Sequence, residues 1–277
     1  MPKIVDPEYK AGPVKQVVQP PQNNAPSFPT EIVDLPSKGL LYEEDNPLRS
    51  GKVELKYMTA REEDILTSQN LIKQGVVIDK LLKALIVSNG EGEQVPYHKL
   101  LVGDKNAIMV SARILAYGAE YEAECIDPFT SEKQTVKINL LDLKDKEIDE
   151  SALNGGNRFS FTLPASKQEI EFKLLQHGDE VKIELAIKAM KKIRKEVSSQ
   201  LTTRMKHMII SINGSEDQKK ISSFVDNMLS RDSFAFRQHI TTITPDLDMS
   251  FDFVSEATGE TQRIPIPLGV SFFWPGV

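Results

Sequence analysis

The chain has 277 residues, 40% hydrophobic and 27% charged, enough for two ordinary soluble domains with cores of their own. No apolar run approaches the length of a membrane span, the N-terminus lacks an apolar signal core, and a single cysteine, Cys125, excludes an intrachain disulfide framework and fits synthesis in a reducing compartment. A net charge of −6 argues against a broad, nonspecific nucleic-acid surface.

Residues 1–38 contain eight of the sixteen prolines. Each proline fixes φ and removes a donor, so this segment is expected as an extended Pro-rich arm, without helix or central strand. Ordering such an arm costs roughly 1 kcal/mol or more per residue in backbone entropy, more than its few apolar side chains return. A neighbouring chain is therefore expected to hold it, with Val17, Val18 and Phe28 as anchors; folding back on its own domain is the alternative.

A first α+β module is expected over residues 39–145. Lys52 to Tyr57 alternates as a strand. Thr59-Ala60-Arg61-Glu62 reads as a capping box opening a helix that ends before Gly75. A second helix follows through Ile78, Leu81, Leu82, Leu85 and Ile86, up to the Asn89-Gly90-Glu91-Gly92 turn. Asp104 is expected to cap a third, ended by Gly118. Tyr121 to Ile126 and Gln134 to Leu140 flank Asp127-Pro128-Phe129-Thr130 as a β-hairpin.

Residues 146–157 read as a linker and 158–277 as a second α+β module. Strands are expected at Phe159 to Leu163 and Glu169 to Leu175. Asp179 opens a long helix carrying Ile183, Ile187, Met190, Val197 and Leu201 at helical spacing. Ser215-Glu216-Asp217-Gln218 reads as another capping box, and Ser230 as the cap of a last helix. A second hairpin, Met249 to Val254 with Thr261 to Pro267, precedes Phe272-Phe273-Trp274-Pro275.

The two modules share three blocks in one order. Leu35-Pro36-Ser37-Lys38 returns as Leu163-Pro164-Ala165-Ser166-Lys167, Val53 to Met58 as Ile170 to Leu175, and Glu132 to Leu140 as Glu260 to Leu268. Blocks that keep their order over a hundred residues point to a duplication. The fold class expected is α+β, with two pseudo-repeated modules of strand, helices and a zinc-ribbon-like β-hairpin without metal.

Chemistry is sparse in this pattern. Catalysis by Cys125 would need a histidine base, and His98, His177, His207 and His239 fall in no motif. A zinc ribbon needs four soft ligands; here Pro128 lies three positions after Cys125, and the other hairpin offers Val254, Ser255 and Gly259. No metal and no cofactor is expected. Asn154-Gly155-Gly156-Asn157 lacks the lysine and helix of a phosphate loop. Glu62-Glu63-Asp64 suits the first turn of a helix.

Three features point to partners instead. The first is the arm. The second is Lys188, Lys191, Lys192, Arg194 and Lys195 on the long helix, interspersed with Glu180, Glu184 and Glu196: a solvated face, an acidic protein's contact, or a nucleic-acid contact. The third is Phe272, Phe273 and Trp274, which need burial by the chain's own core or by a partner.

Asp34-Leu35-Pro36-Ser37-Lys38-Gly39-Leu40-Leu41-Tyr42 and Gly51 to Leu66 resemble the opening of the baseplate hub proteins of contractile-tailed, T-even-type bacteriophages. Ile266-Pro267-Leu268 to Phe273-Trp274-Pro275 is similar to their closing segment. Some relatives carry Cys-Pro-x-Cys knuckles on the hairpins, a pattern from which this sequence departs. The resemblance implies a structural or assembly protein of the tail baseplate, without enzymatic activity, made in the host cytoplasm. It would bind other baseplate and tail proteins, in a setting compatible with multiple copies in a symmetric assembly. A nucleic-acid-binding regulator using residues 188–195 is the alternative.

Overall fold

The computed structural model describes residues 28–153, 156–193, 199–268 and 270–273. Among them the chain is mixed α+β, with eight α-helices and four small antiparallel sheets.

The first sheet has the order β1-β2-β3, from Thr30–Asp34, Lys52–Lys56 and Ile86–Ser88. In the middle strand, alternation turns Val53 and Leu55 into the core. β1 is an edge strand, and Pro29 and Pro36 flank it without interrupting its ladder. The arm expected over 1–38 is thereby corrected: residues 30–34 join the sheet, and Leu35 and Ser37 are buried just after it.

The helix expected from residue 60 to Gly75 is two, α1 (Ala60–Thr67) and α2 (Gln69–Gln74), parted at Ser68 with ψ of 100°. Thr67 bonds back to the Asp64 carbonyl, the competition by which such side chains weaken a helix end. α3 (Val77–Leu85) buries Val77, Leu81, Leu82 and Leu85. It runs straight into β3, so Ile86, expected as helix, pairs with Leu55 as strand. α4 (Val102–Tyr117) starts two residues before Asp104, after Leu101, whose side chain makes no cap bond; Asp104 turns its carboxylate elsewhere. β4 (Glu120–Ile126) and β5 (Lys133–Asn139) form the expected hairpin.

The second sheet joins β6 (Phe159–Thr162), β7 (Glu169–Phe172) and β8 (Ile209–Ile212), again in sequential order. Here the buried alternation falls on Ile170 and Phe172. α5 spans His177–Ile193 and α6 spans Gln200–Met208, so Leu201 lies on a separate helix; Val197 falls outside the described residues. Asp179 sits in the first turn of α5 and accepts the Gln176 amide at 3.2 Å, which starts the helix earlier than expected. Asp217, not Ser215, caps α7 (Gln218–Asp226), accepting the Lys219 amide at 2.9 Å. α8 (Ser230–Ile243) includes Ser230, expected as its cap, as its first residue, and Leu229 before it makes no side-chain cap bond. β9 (Ser250–Val254) and β10 (Thr261–Pro265) form the second hairpin.

One continuous core runs through both halves, from Leu48, Val53 and Leu55 to Ile170, Phe172, Phe236 and Phe253. Phe172 meets Phe236 edge-on at 5.0 Å. The halves also share backbone bonds: the amides of His177 and Val102 reach the carbonyls of Leu100 and Leu175 at 2.7 and 3.3 Å.

Candidate interaction surfaces

In each half, an aspartate in a helix first turn grips the turn that follows the sheet's first strand. Asp104 of α4 accepts the Ser37 amide at 2.9 Å, the Ser37 hydroxyl at 2.7 Å and the Tyr42 hydroxyl at 2.5 Å. Burial pushes its carboxyl up to about 6 against the pull of these three donors. Asp232 of α8 accepts the amides of Ala165 and Ser166 at 2.7 and 3.0 Å. Burial raises this carboxyl less than the two amides and the Ser166 hydroxyl lower it, and it lies below the usual range. Both turns hold a lysine at positive φ, Lys38 at 51° and Lys167 at 59°.

The sheets carry a second matched set. Ser88 donates to Glu54 at 2.5 Å and Ser211 to Glu171 at 2.6 Å, each across the second pair of strands. The register shifts at Glu54/Leu55 in one sheet and at Glu171/Phe172 in the other. Lys56 reaches Glu62 at 2.8 Å, and Lys173 reaches Asp179 at 2.7 Å. Glu62 also accepts the Thr59 amide at 3.0 Å; despite burial, Lys56 and Thr59 hold it down at about 2.

The hairpins meet at their turns. Ser255 donates to Asp127 at 2.6 Å in a buried contact. Beside it, the Gln134 side chain donates to the Val254 carbonyl at 2.9 Å and accepts the Glu256 amide at 3.0 Å. Ile126 and Val254, each next to one of the bonded pair, are 67% and 52% exposed. Cys125 is buried, and burial pushes its thiol up, away from reactive thiolate chemistry. Among the described residues no three His, Cys, Asp or Glu side chains are grouped to hold a metal ion, and no helix is long and apolar enough to cross a membrane.

Where the halves adjoin, Asp79 binds Lys105 at 2.6 Å and accepts the Tyr97 hydroxyl at 2.9 Å. His177 lies edge-on to Tyr97 at 4.7 Å, its Nδ1 3.4 Å from the Lys105 ammonium. Burial pushes the His177 imidazole down, so it is held neutral beside that cation.

The expected partner-binding residues separate into distinct places. Phe28 is half-exposed, with the Lys56 ammonium 5.5 Å from its ring centroid. Phe272 and Phe273 are buried in the chain's own core, so they are not exposed anchors. Phe272 packs on Tyr121 at 5.0 Å, and its carbonyl accepts the Arg113 Nε at 2.8 Å. Val17, Val18, Trp274 and Lys195 lie outside the described residues. Lys188, Lys191 and Lys192 lie on α5; Lys188 pairs with Glu184 at 3.3 Å, while Lys191 has no ion-pair partner among the described residues. Sequence reasoning missed Val181 and Leu185, exposed one turn apart on α5. Their spacing was visible, but on the side read as solvated.

Residues 31–273 match the family model described as T4 bacteriophage base plate protein. No curated protein and no solved structure matches the chain.

Proposed function

The chain belongs to the T4 bacteriophage base plate protein family, structural proteins of the virion tail, and from that premise we propose that it serves in the hub region of a contractile tail's baseplate. The observation that carries this reading is the reach of the match, which spans both sheets and both hairpins. A structural rather than catalytic role is supported by what its perturbed carboxylates do: Asp104 and Asp232 hold loops, and Glu62 holds a helix start.

In this reading the two halves are copies of one module joined through the linker near 146–157. The matched aspartate grips, serine-glutamate bonds and register shifts support it, because local sequence preference alone does not place such tertiary pairs twice. A duplicated body presents related surfaces to neighbouring baseplate and tail proteins. The Pro-rich segment before residue 28 would tether them through Val17 and Val18, with half-exposed Phe28 at its base.

Mass spectrometry of purified phage particles tests the location. Presence in mature particles at stoichiometric level is expected; recovery from assembly intermediates alone would make the chain a transient assembly factor. Deleting residues 1–27 should leave the body folded and weaken incorporation. Equal incorporation of the truncated chain would remove the tether from this reading.

A further inference from the structure

We propose that a second copy of this chain docks its hairpin turns onto the outer face of α5, a head-to-tail contact between two different surfaces of one chain. The inference goes beyond the baseplate reading: of the three roles open to the α5 cations it takes the contact with an acidic protein, and it names that protein.

The two surfaces are complementary in charge. The hairpin turns, residues 127–132 and 255–260, contain four carboxylates and no lysine or arginine. Asp127 is taken up by the buried bond to Ser255. Glu132, Glu256 and Glu260 are exposed and without an ion-pair partner among the described residues. On α5, Lys182 and Lys191 are likewise exposed and unpaired among the described residues.

Each surface also exposes aliphatic side chains within its charged frame. The first hairpin exposes Ile126, with half-exposed Phe129 in the turn that follows it, and the second exposes Val254. α5 presents Val181 and Leu185, the latter 62% exposed, while Ile183 on the opposite side enters the core. Covering these side chains removes apolar surface from water, and the opposed charges favour one orientation over others. Because the patches differ, the contact is heterologous: it closes into a ring if its rotation permits, and otherwise extends as a filament.

Sedimentation velocity of the full chain, across a wide concentration range at low and high salt, tests this. Self-association beyond a dimer is expected, weakened by salt. Leu185→Glu and Ile126→Lys should each weaken it by about tenfold or more. Mixing the two variants should restore a complex that stops at one copy of each, because one supplies intact turns and the other an intact helix face. Circular dichroism checks their folding, and Lys182→Glu replaces Leu185→Glu if α5 is disturbed. A chain that stays monomeric throughout, or variants that self-associate like the unaltered chain, or a mixture that forms no complex, would overturn the proposal. None of these results alters what mass spectrometry finds in the particle, so failure here is distinguishable from failure of the baseplate reading.

Discussion

Asp127 and Ser255, 128 positions apart, share a buried hydrogen bond that ties the turns of the two hairpins together. The two residues hold equivalent places. Asp127 accepts the amides of Phe129 and Thr130, and the Ser255 hydroxyl accepts that of Thr258. Each backbone also closes its own turn, through Ser131 to Asp127 and Gly259 to Ser255 at 2.8 Å. A side chain that satisfies its own turn and also its counterpart across the interface fixes the relative position of both hairpins.

Ser255→Ala removes the donor and leaves a carboxylate oxygen facing the cavity. The expected effect is a fall in melting temperature of about 2–4 °C. Asp127→Asn retains a bond, since its amide can donate to the serine hydroxyl, and should melt closer to the unaltered chain. A loss in Asp127→Asn as large as that in Ser255→Ala would mean that the contact needs the carboxylate's charge as well as the bond.

Gly103 marks another close approach between the halves. A Cβ there would stand 1.9 Å from the Pro245 carbonyl oxygen and 2.9 Å from the Asp246 Cα, both backbone. Alanine favours a helix over glycine by about 1 kcal/mol, whereas overpacking against an immovable backbone costs about 3 kcal/mol. Gly103→Ala is therefore expected to lose about 2 kcal/mol in chemical denaturation. A gain in stability would show that residues 245–246 can yield.

Much of this architecture was legible because strands and hairpins repeat short local patterns. Val53 and Leu55, like Ile170 and Phe172, announce a buried strand by alternation alone. β3 and β8 were missed because α3 and α6 run into them without a turn residue, so Ile86 and Ile209 extend a helical spacing while adopting strand geometry. Asp104 reads as a cap in the sequence because local sequence shows its position beside a helix, not Ser37 at 67 residues' distance. For the surfaces, the cations of α5 were readable as charge. The exposure of Ile126 and Val254 depends on which face of each hairpin the rest of the fold covers, and no local pattern encodes that.

Glu62 anchors α1 to β2 through Lys56 and Thr59, and Glu62→Gln leaves the lysine without its counter-ion. A loss of about 2 kcal/mol is expected at pH 7. Since Glu62 is held at about 2, below its ordinary value of 4.5, its contribution is present above 4.5 and lost as pH falls towards 2. The variant and the unaltered chain should therefore converge in stability on acidification. Curves that stay parallel down to pH 2 would show that Glu62 does not act through its charge.

Asp104 should behave in the opposite sense. Its folded-state value, about 6, lies above the ordinary 3.8 because burial outweighs three hydrogen bonds to the carboxylate. Between those values the folded chain holds a proton that the unfolded chain releases, so this group favours folding at low pH and progressively less as pH rises through 6. The difference corresponds to on the order of 2–3 kcal/mol between pH 4 and pH 7. His177, His207 and His239, all lowered by burial, oppose it by losing stability as pH falls below their ordinary value. The total curve therefore does not isolate Asp104, but comparison with Asp104→Asn does. That variant still accepts the Ser37 amide and can donate to the Ser37 and Tyr42 hydroxyls, without a buried charge at neutral pH. Measured by denaturant unfolding, its stability relative to the unaltered chain should improve as pH rises from 4 to 7. A difference independent of pH would mean that the Asp104 carboxyl ionises at its ordinary value despite its burial.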